Sequence, residues 1–412
     1  MKQRRQRVAT GRLLAFVALA GAGLMSLTSC GLADVSMSAV MIPTPTSTAT
    51  LSITPTVGDT EVLPGSPVRV QAQQGRLTSV KVVSADGTPL RGTLSGDSRS
   101  WVSVDHAVGY GATYFVEAAA IDREGLSTSK RVQFSTMVPD RTAAVQWSEP
   151  MAGSTFGVGI PLTLTFDRDI EFKADVESNL VVITPTSIEG AWRWLSDNTV
   201  QYRPKTYWPG NIDITVKANL LGVQTGPDVW GEKDASYVFH TSDSIVGRVD
   251  MNKYTLTVRR NGTVIRTIPI TTGKPGFESR SGVKVVLTKE RTRLMDAATG
   301  GTDPTSPEYY RLTVEYAMRL TWSGEFLHAA PWSEGSQGYD NVSHGCTGMS
   351  TSNAEWLYGI SGLGDVYEFV GNDKQMGTGD NGITVWNVPW YEWLEDSRID
   401  SVMTTEADQS LR

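Results

Sequence analysis

Apolar and polar positions alternate with a period of two along most of this chain, in runs of four or five residues separated by turn residues. That pattern predicts a mainly β protein. Between 57 and 140 the runs are 68–72, 80–83 before Asp86-Gly87, 114–118 and 131–134. A second block, 141–242, carries 162–166, 180–183, 199–202, 212–216 and 237–240. Neither block has a long helical period, so two Ig-like β-sandwich domains without disulfides are expected, with His106 and His240 as structural or surface residues. From 243 to 371 the strand pattern continues. Asn261-Gly262 separates runs 254–258 and 264–268, a preferred two-residue hairpin turn. Residues 325–329 read as a strand with Phe326 and His328 on one face. Ser352 followed by Glu355 reads as a capping box opening a short helix, and 365–370 is expected to close the sheet.

The ends of the chain break the pattern. Lys2, Arg4, Arg5, Arg7 and Arg12 precede an apolar run at 13–27, the layout of a secretion signal over 1–29. The run falls short of the ~20 residues of a permanent membrane span. Leu27-Thr28-Ser29-Cys30 resembles the lipobox of bacterial lipoproteins, which implies lipid on Cys30 and a membrane anchor. Residues 30–56, rich in Pro, Thr and Ser from Val40 onward, read as an extended tether. The last segment, 372–412, holds Trp386, Trp390 and Trp393. The net charge of −7 deepens to −12 once the five basic residues of the leader are removed, which makes nucleic acid an unsuitable partner.

The chain has two cysteines. With Cys30 consumed by lipid, Cys346 is left as a single thiol in an oxidising compartment, a state kept more often for reactivity than for packing. It sits in Ser343-His344-Gly345-Cys346, with His328 eighteen residues upstream. A thiol needs a base to become a good nucleophile, and His328 and His344 are the candidates. His328, on a separate strand, can meet the thiol from across the sheet. Gly345 permits a tight turn whose amides could stabilise an oxyanion. An inert buried Cys beside a surface His, and zinc held by Cys/His/His, are the competing readings. Against zinc, this block has no second Cys and no further His.

The segment from His328-Ala329-Ala330-Pro331-Trp332 through Ser343-His344-Gly345-Cys346 is similar to the signature of L,D-transpeptidases of the YkuD fold. Two Ig-like domains before it and a Trp-rich tail after it resemble the mycobacterial cell-wall type in its lipoprotein form. The resemblance implies Cys346 as nucleophile, His328 as base, the Ala329 backbone carbonyl as the third member, and the amides of His344, Gly345 and Cys346 as oxyanion hole. It places Tyr310, Met295, Ser343 and Trp332 at the substrate. It implies 3→3 crosslinking of peptidoglycan tetrapeptide stems through a thioester, carbapenem β-lactams as covalent inhibitors, and no metal or organic cofactor. An L,D-carboxypeptidase and a non-catalytic wall-binding lipoprotein are the alternatives. Thr347-Gly348 departs from the family's hydrophobic residue and Asn. This departure predicts a less well fixed Cys346 loop, slower acylation by carbapenems, and a roughly tenfold gain on Gly348→Asn if one hydrogen bond of about 1 kcal/mol is recovered.

Overall fold

The computed structural model describes residues 45–104, 108–379, 381–399 and 403–407, so the leader, Cys30 and His106 lie outside the described residues. The alternation that predicts strands is realised residue by residue. In Thr113–Asp122, the side chains of Tyr114, Val116, Ala118 and Ala120 are buried and their neighbours are more open.

The first sandwich packs a sheet of Thr50–Thr54, Arg69–Gln73, Ser100–Ser103 and Gly92–Leu94 against one of Gly75–Ser84, Thr113–Asp122 and Ser127–Ser135. Val70, Trp101, Val116 and Phe134 meet between them. Its first strand corrects the tether expectation. Thr50–Thr54 pairs antiparallel with Arg69–Gln73, and Ala49 and Ile53 are buried. The Thr-rich composition that reads as polar linker also has high strand propensity, and Leu51 and Ile53 give it an apolar face.

The second sandwich encloses Trp192, Tyr202, Trp208 and Phe239. His240 lies at its surface, 2.5 Å from Asp213. The C-terminal segment completes both of its sheets: Met403–Thr404 pairs with Glu189–Trp194, and Glu406–Ala407 with Leu180–Thr184. Before them in the chain, the Trp390–Glu395 helix packs on Glu189–Trp194 and brings Trp393 to donate to the Ala191 carbonyl at 3.0 Å. The Arg203 guanidinium sits among the rings of Trp386, Trp390 and Trp393 at 5.2, 5.1 and 4.8 Å. Those ring faces partly compensate a buried cation.

The third block has two sheets. One runs in the order Thr263–Pro269, Thr255–Arg260, Ile245–Asp250, Val366–Val370, Gly282–Val285, and the other Thr288–Asp296, Arg311–Arg319, Phe326–Ala329, Thr347–Met349. The helix Thr351–Ile360 packs on the second sheet, and Leu256, Leu327, Met349, Leu357 and Tyr367 share the core. Asn261 and Gly262 have φ of 48° and 82°, which closes the hairpin. Two expectations are corrected. The helix cap is Ser350, whose hydroxyl accepts from the Asn353 amide, so Ser352 and Glu355 lie inside the helix. Val366–Val370 does not close the sheet but runs inside it, parallel to Ile245–Asp250, with Val366, Tyr367 and Phe369 buried. An apolar run of this kind is the mark of an inner strand.

This block is seated on the second sandwich by backbone contact. The Gly157 and Gly159 amides donate to the carbonyls of Leu363 and Gly364 at 2.7 and 2.8 Å. A Cβ at Gly157 would stand 2.3 Å from the Asp365 nitrogen, so the approach requires glycine. Asn387 then bonds both the amide and the carbonyl of Val283, at 2.7 and 2.8 Å.

Candidate active site

Phe326–Ala329 and Thr347–Met349 are neighbouring parallel strands, with Leu327 opposite Thr347 and His328 opposite Gly348. One step back in that register, Cys346 is level with Phe326. The two-residue period then puts Cys346, Gly348 and His328 on one face of the sheet. Cys346 and His328 line a cavity of about 330 Å³, joined there by Met295, Tyr310, Trp332, Ser343 and His344.

His328 is 6% exposed. Its Nδ1 donates to the Ala329 carbonyl at 2.8 Å. A carbonyl oxygen can only accept, so the proton is on Nδ1 and Nε2 keeps its lone pair. Burial lowers the imidazole pKa and keeps the ring neutral. The Trp332 ring lies 6.0 Å from that of His328 at 27°, and Trp332 is 60% exposed at the cavity mouth. The Cys346 thiol donates to the Gly324 carbonyl at 3.6 Å. Burial pushes it up to about 12. At rest the cavity is therefore lined by a protonated thiol and a neutral imidazole.

His344 is engaged elsewhere. Its Nε2 is 2.6 Å from Glu308 Oε2, the oxygen that also receives Lys274 Nζ at 2.6 Å. Its ring meets Phe277 edge-on at 4.6 Å and lies 5.0 Å from Tyr310. The Tyr310 hydroxyl is pushed up to about 12 by burial, and Met295 is buried beside it.

The Cys346 turn is closed by hydroxyls. Ser343 Oγ donates to the Cys346 carbonyl at 2.6 Å and accepts from the Gly345 amide at 3.1 Å. Ser279 Oγ donates to the Gly345 carbonyl at 2.7 Å. This corrects the oxyanion expectation for Gly345, whose amide is occupied by Ser343. The His344 and Cys346 amides carry no hydrogen bond among the described residues. The expectation of a loose Gly348 is corrected as well. Its amide donates to the Thr271 carbonyl at 2.9 Å and its carbonyl accepts from the Thr271 amide at 3.0 Å, on the side away from the His328 strand. A Cβ there would lie 2.8 Å from that of Ala330 and 3.2 Å from Thr271 Cγ2.

Behind the turn lies a group of charges that the motif does not include. Lys284 is 1% exposed, pairs with Glu325, and stands 3.6 Å over the Phe369 ring. Arg280 Nε donates to the other Glu325 oxygen at 2.8 Å. The available signal was a lysine inside the apolar run 283–286 and an acid opening a buried strand. Among the described residues, no group of three or more His, Cys, Asp or Glu is placed to hold a metal ion.

Residues 59–224 match the family model of a bacterial Ig domain, and 245–370 that of an L,D-transpeptidase catalytic domain. The chain is 34% identical over 343 residues to L,D-transpeptidase 2 of Mycobacterium tuberculosis (strain CDC 1551 / Oshkosh), covering 83% of each. It is 30% identical over 358 residues to L,D-transpeptidase 5 of M. tuberculosis (strain ATCC 25618 / H37Rv), covering 85% of this chain and 77% of that one. A solved L,D-transpeptidase in complex with imipenem aligns at 36% identity over 57% of this chain and 100% of that chain, with a TM-score of 0.47.

Proposed function

The chain belongs to the L,D-transpeptidase family, and from that premise we propose that it forms 3→3 peptidoglycan crosslinks with Cys346 as the nucleophile. The observation that carries the assignment is the shared face of Cys346 and His328 over one cavity, with His328 Nδ1 held by the Ala329 carbonyl. That bond leaves Nε2 to take the thiol proton as sulfur attacks the carbonyl of the diaminopimelate L-centre in a tetrapeptide stem. The His344 and Cys346 amides receive the oxyanion. The C–N bond then breaks, D-Ala departs with the proton from Nε2, and a thioester remains. The amine of a second stem attacks the thioester and gives its proton to Nε2, after which the thiol is regenerated as the crosslink is released.

Tyr310, Met295 and Trp332 shape the donor pocket, and Ser343 holds the turn rather than touching the reacting atoms. A β-lactam carbonyl presented to the same thiol acylates it, so carbapenems act as covalent inhibitors. Lipid on Cys30 anchors the protein to the outer face of the cell membrane, with the sandwiches carrying the site toward the wall. The test is incubation of the purified full chain with disaccharide-tetrapeptide. A dimer lighter than two substrates by one D-Ala supports the proposal. Trimmed monomer alone makes the enzyme a carboxypeptidase.

A further inference from the structure

The residues just described put a buried ion network directly behind the nucleophile. The Cγ of Glu325 lies 4.0 Å from the position a Cβ would take on Gly345, so its side chain packs on the turn that carries Cys346. Glu325 binds two cations, Lys284 and Arg280, and Arg280 Nη2 also reaches Ser323 Oγ at 2.6 Å. The network therefore holds one positive charge in excess. Arg319 adds another, with its guanidinium 4.4 Å over the ring of Phe326, the residue level with Cys346. A lysine buried in an apolar strand is costly unless paired, and no part of the acyl-transfer chemistry uses this one.

We propose that Lys284 is a positioning residue for Cys346: it holds and neutralises Glu325, the carboxylate packed on the turn, and so offsets the charge that opposes loss of the thiol proton. The proposal rests on Cys346 being the reactive group. The charged and titratable groups facing it are Glu325 beside the turn, Lys284 on Gly282–Val285, Arg319 and Tyr310 on or next to Arg311–Arg319, His328 on its own sheet, and His344 in the turn itself. Their signs divide cleanly. Glu325 opposes the thiolate most among these charges, and Lys284 and then Arg319 offset it. Burial lowers the Lys284 pKa to about 8 while Glu325 acts to raise it, so the lysine carries its charge at neutral pH.

The test is the rate at which iodoacetamide alkylates Cys346 in the full chain purified in detergent, followed by intact mass at pH 7. Loss of the lysine leaves the Glu325 charge unopposed beside the turn and raises the thiol pKa, so K284M is expected to react at least about tenfold more slowly. K284R keeps the charge and should stay within about threefold of wild type. The double variant K284M/E325Q removes the opposing charge together with the lysine, so it should react as fast as wild type or faster. A role in packing alone predicts no recovery on the second loss, so a K284M/E325Q chain slowed as much as K284M overturns the proposal. So does an unchanged K284M. If K284M does not fold, K284M/E325Q and K284R decide: a folded double variant no slower than wild type with K284R near wild type supports the offset, and a slowed double variant refutes it. Alkylation needs no peptidoglycan, so a chain that behaves this way yet makes no crosslink refutes the proposed function and leaves this inference standing.

Discussion

His328 has one nitrogen committed to the Ala329 carbonyl and sits where burial opposes its protonation. Its folded-state pKa lies below the ordinary 6.5, so the ring remains a proton acceptor further into acid than a solvated histidine. The acid limb of carbapenem acylation should therefore have its midpoint below pH 6.5. A midpoint above that value would place the base elsewhere. His328→Ala should lose about 10²- to 10⁴-fold in acylation rate, the usual scale of general-base catalysis. His344→Ala should lose about tenfold at most, because its imidazole is spent on Glu308. Equal defects in single-turnover acylation would move the base role. Gly348 reverses an expectation. An Asn there must push Ala330 or Thr271 aside, so Gly348→Asn should slow acylation and cost about 1–3 kcal/mol in urea unfolding. A faster enzyme of unchanged stability would contradict this. The Cys346–His328 pair was readable because the motif writes it into one short stretch. The Lys284–Glu325 pair was not, since its members stand 41 residues apart and meet only through the fold.

At the scale of elements, alternation was enough to find most strands, because each has one face on a core and the two-residue period records it. It failed where burial is not one-sided or where composition misleads. Val366–Val370 buries residues on both faces, Val366 on one and Tyr367 and Phe369 on the other, so its inner place in the sheet has no signature in a period of two. Thr50–Thr54 was hidden by the Thr and Ser that surround its apolar positions. The C-terminal segment shows how a Trp-rich stretch without strong periodicity can still be structural. Trp393 is 1% exposed against the second sandwich. Trp393→Ala should cost about 3–5 kcal/mol, read as a lower urea midpoint. A loss below about 1 kcal/mol would mean that the paired strands at 403–407 hold the segment without it.

Across the whole molecule, two junctions tie the blocks together. The Tyr110 hydroxyl donates to the Gly231 carbonyl at 2.8 Å and accepts from the Gly222 amide at 3.0 Å, linking the sandwiches, while Gly157 and Asn387 seat the catalytic block. Contacts between blocks are the least legible feature of all, because a glycine that permits close approach looks in sequence like any loop glycine. The proposed anchor adds a prediction at this scale. Cys30→Ala should leave the protein unprocessed at the membrane or released in soluble form, and a fully processed Cys30→Ala protein that partitions into the detergent phase would exclude lipid on Cys30. The central claim is that Cys346 carries the acyl group, and mass spectrometry of the reaction with disaccharide-tetrapeptide tests it most directly. The wild-type chain should show a thioester adduct on the peptide containing Cys346 and a 3→3 crosslinked dimer, and Cys346→Ala, folded as judged by its urea midpoint, should show neither. Crosslinked dimer formed by the Cys346→Ala chain would contradict the account.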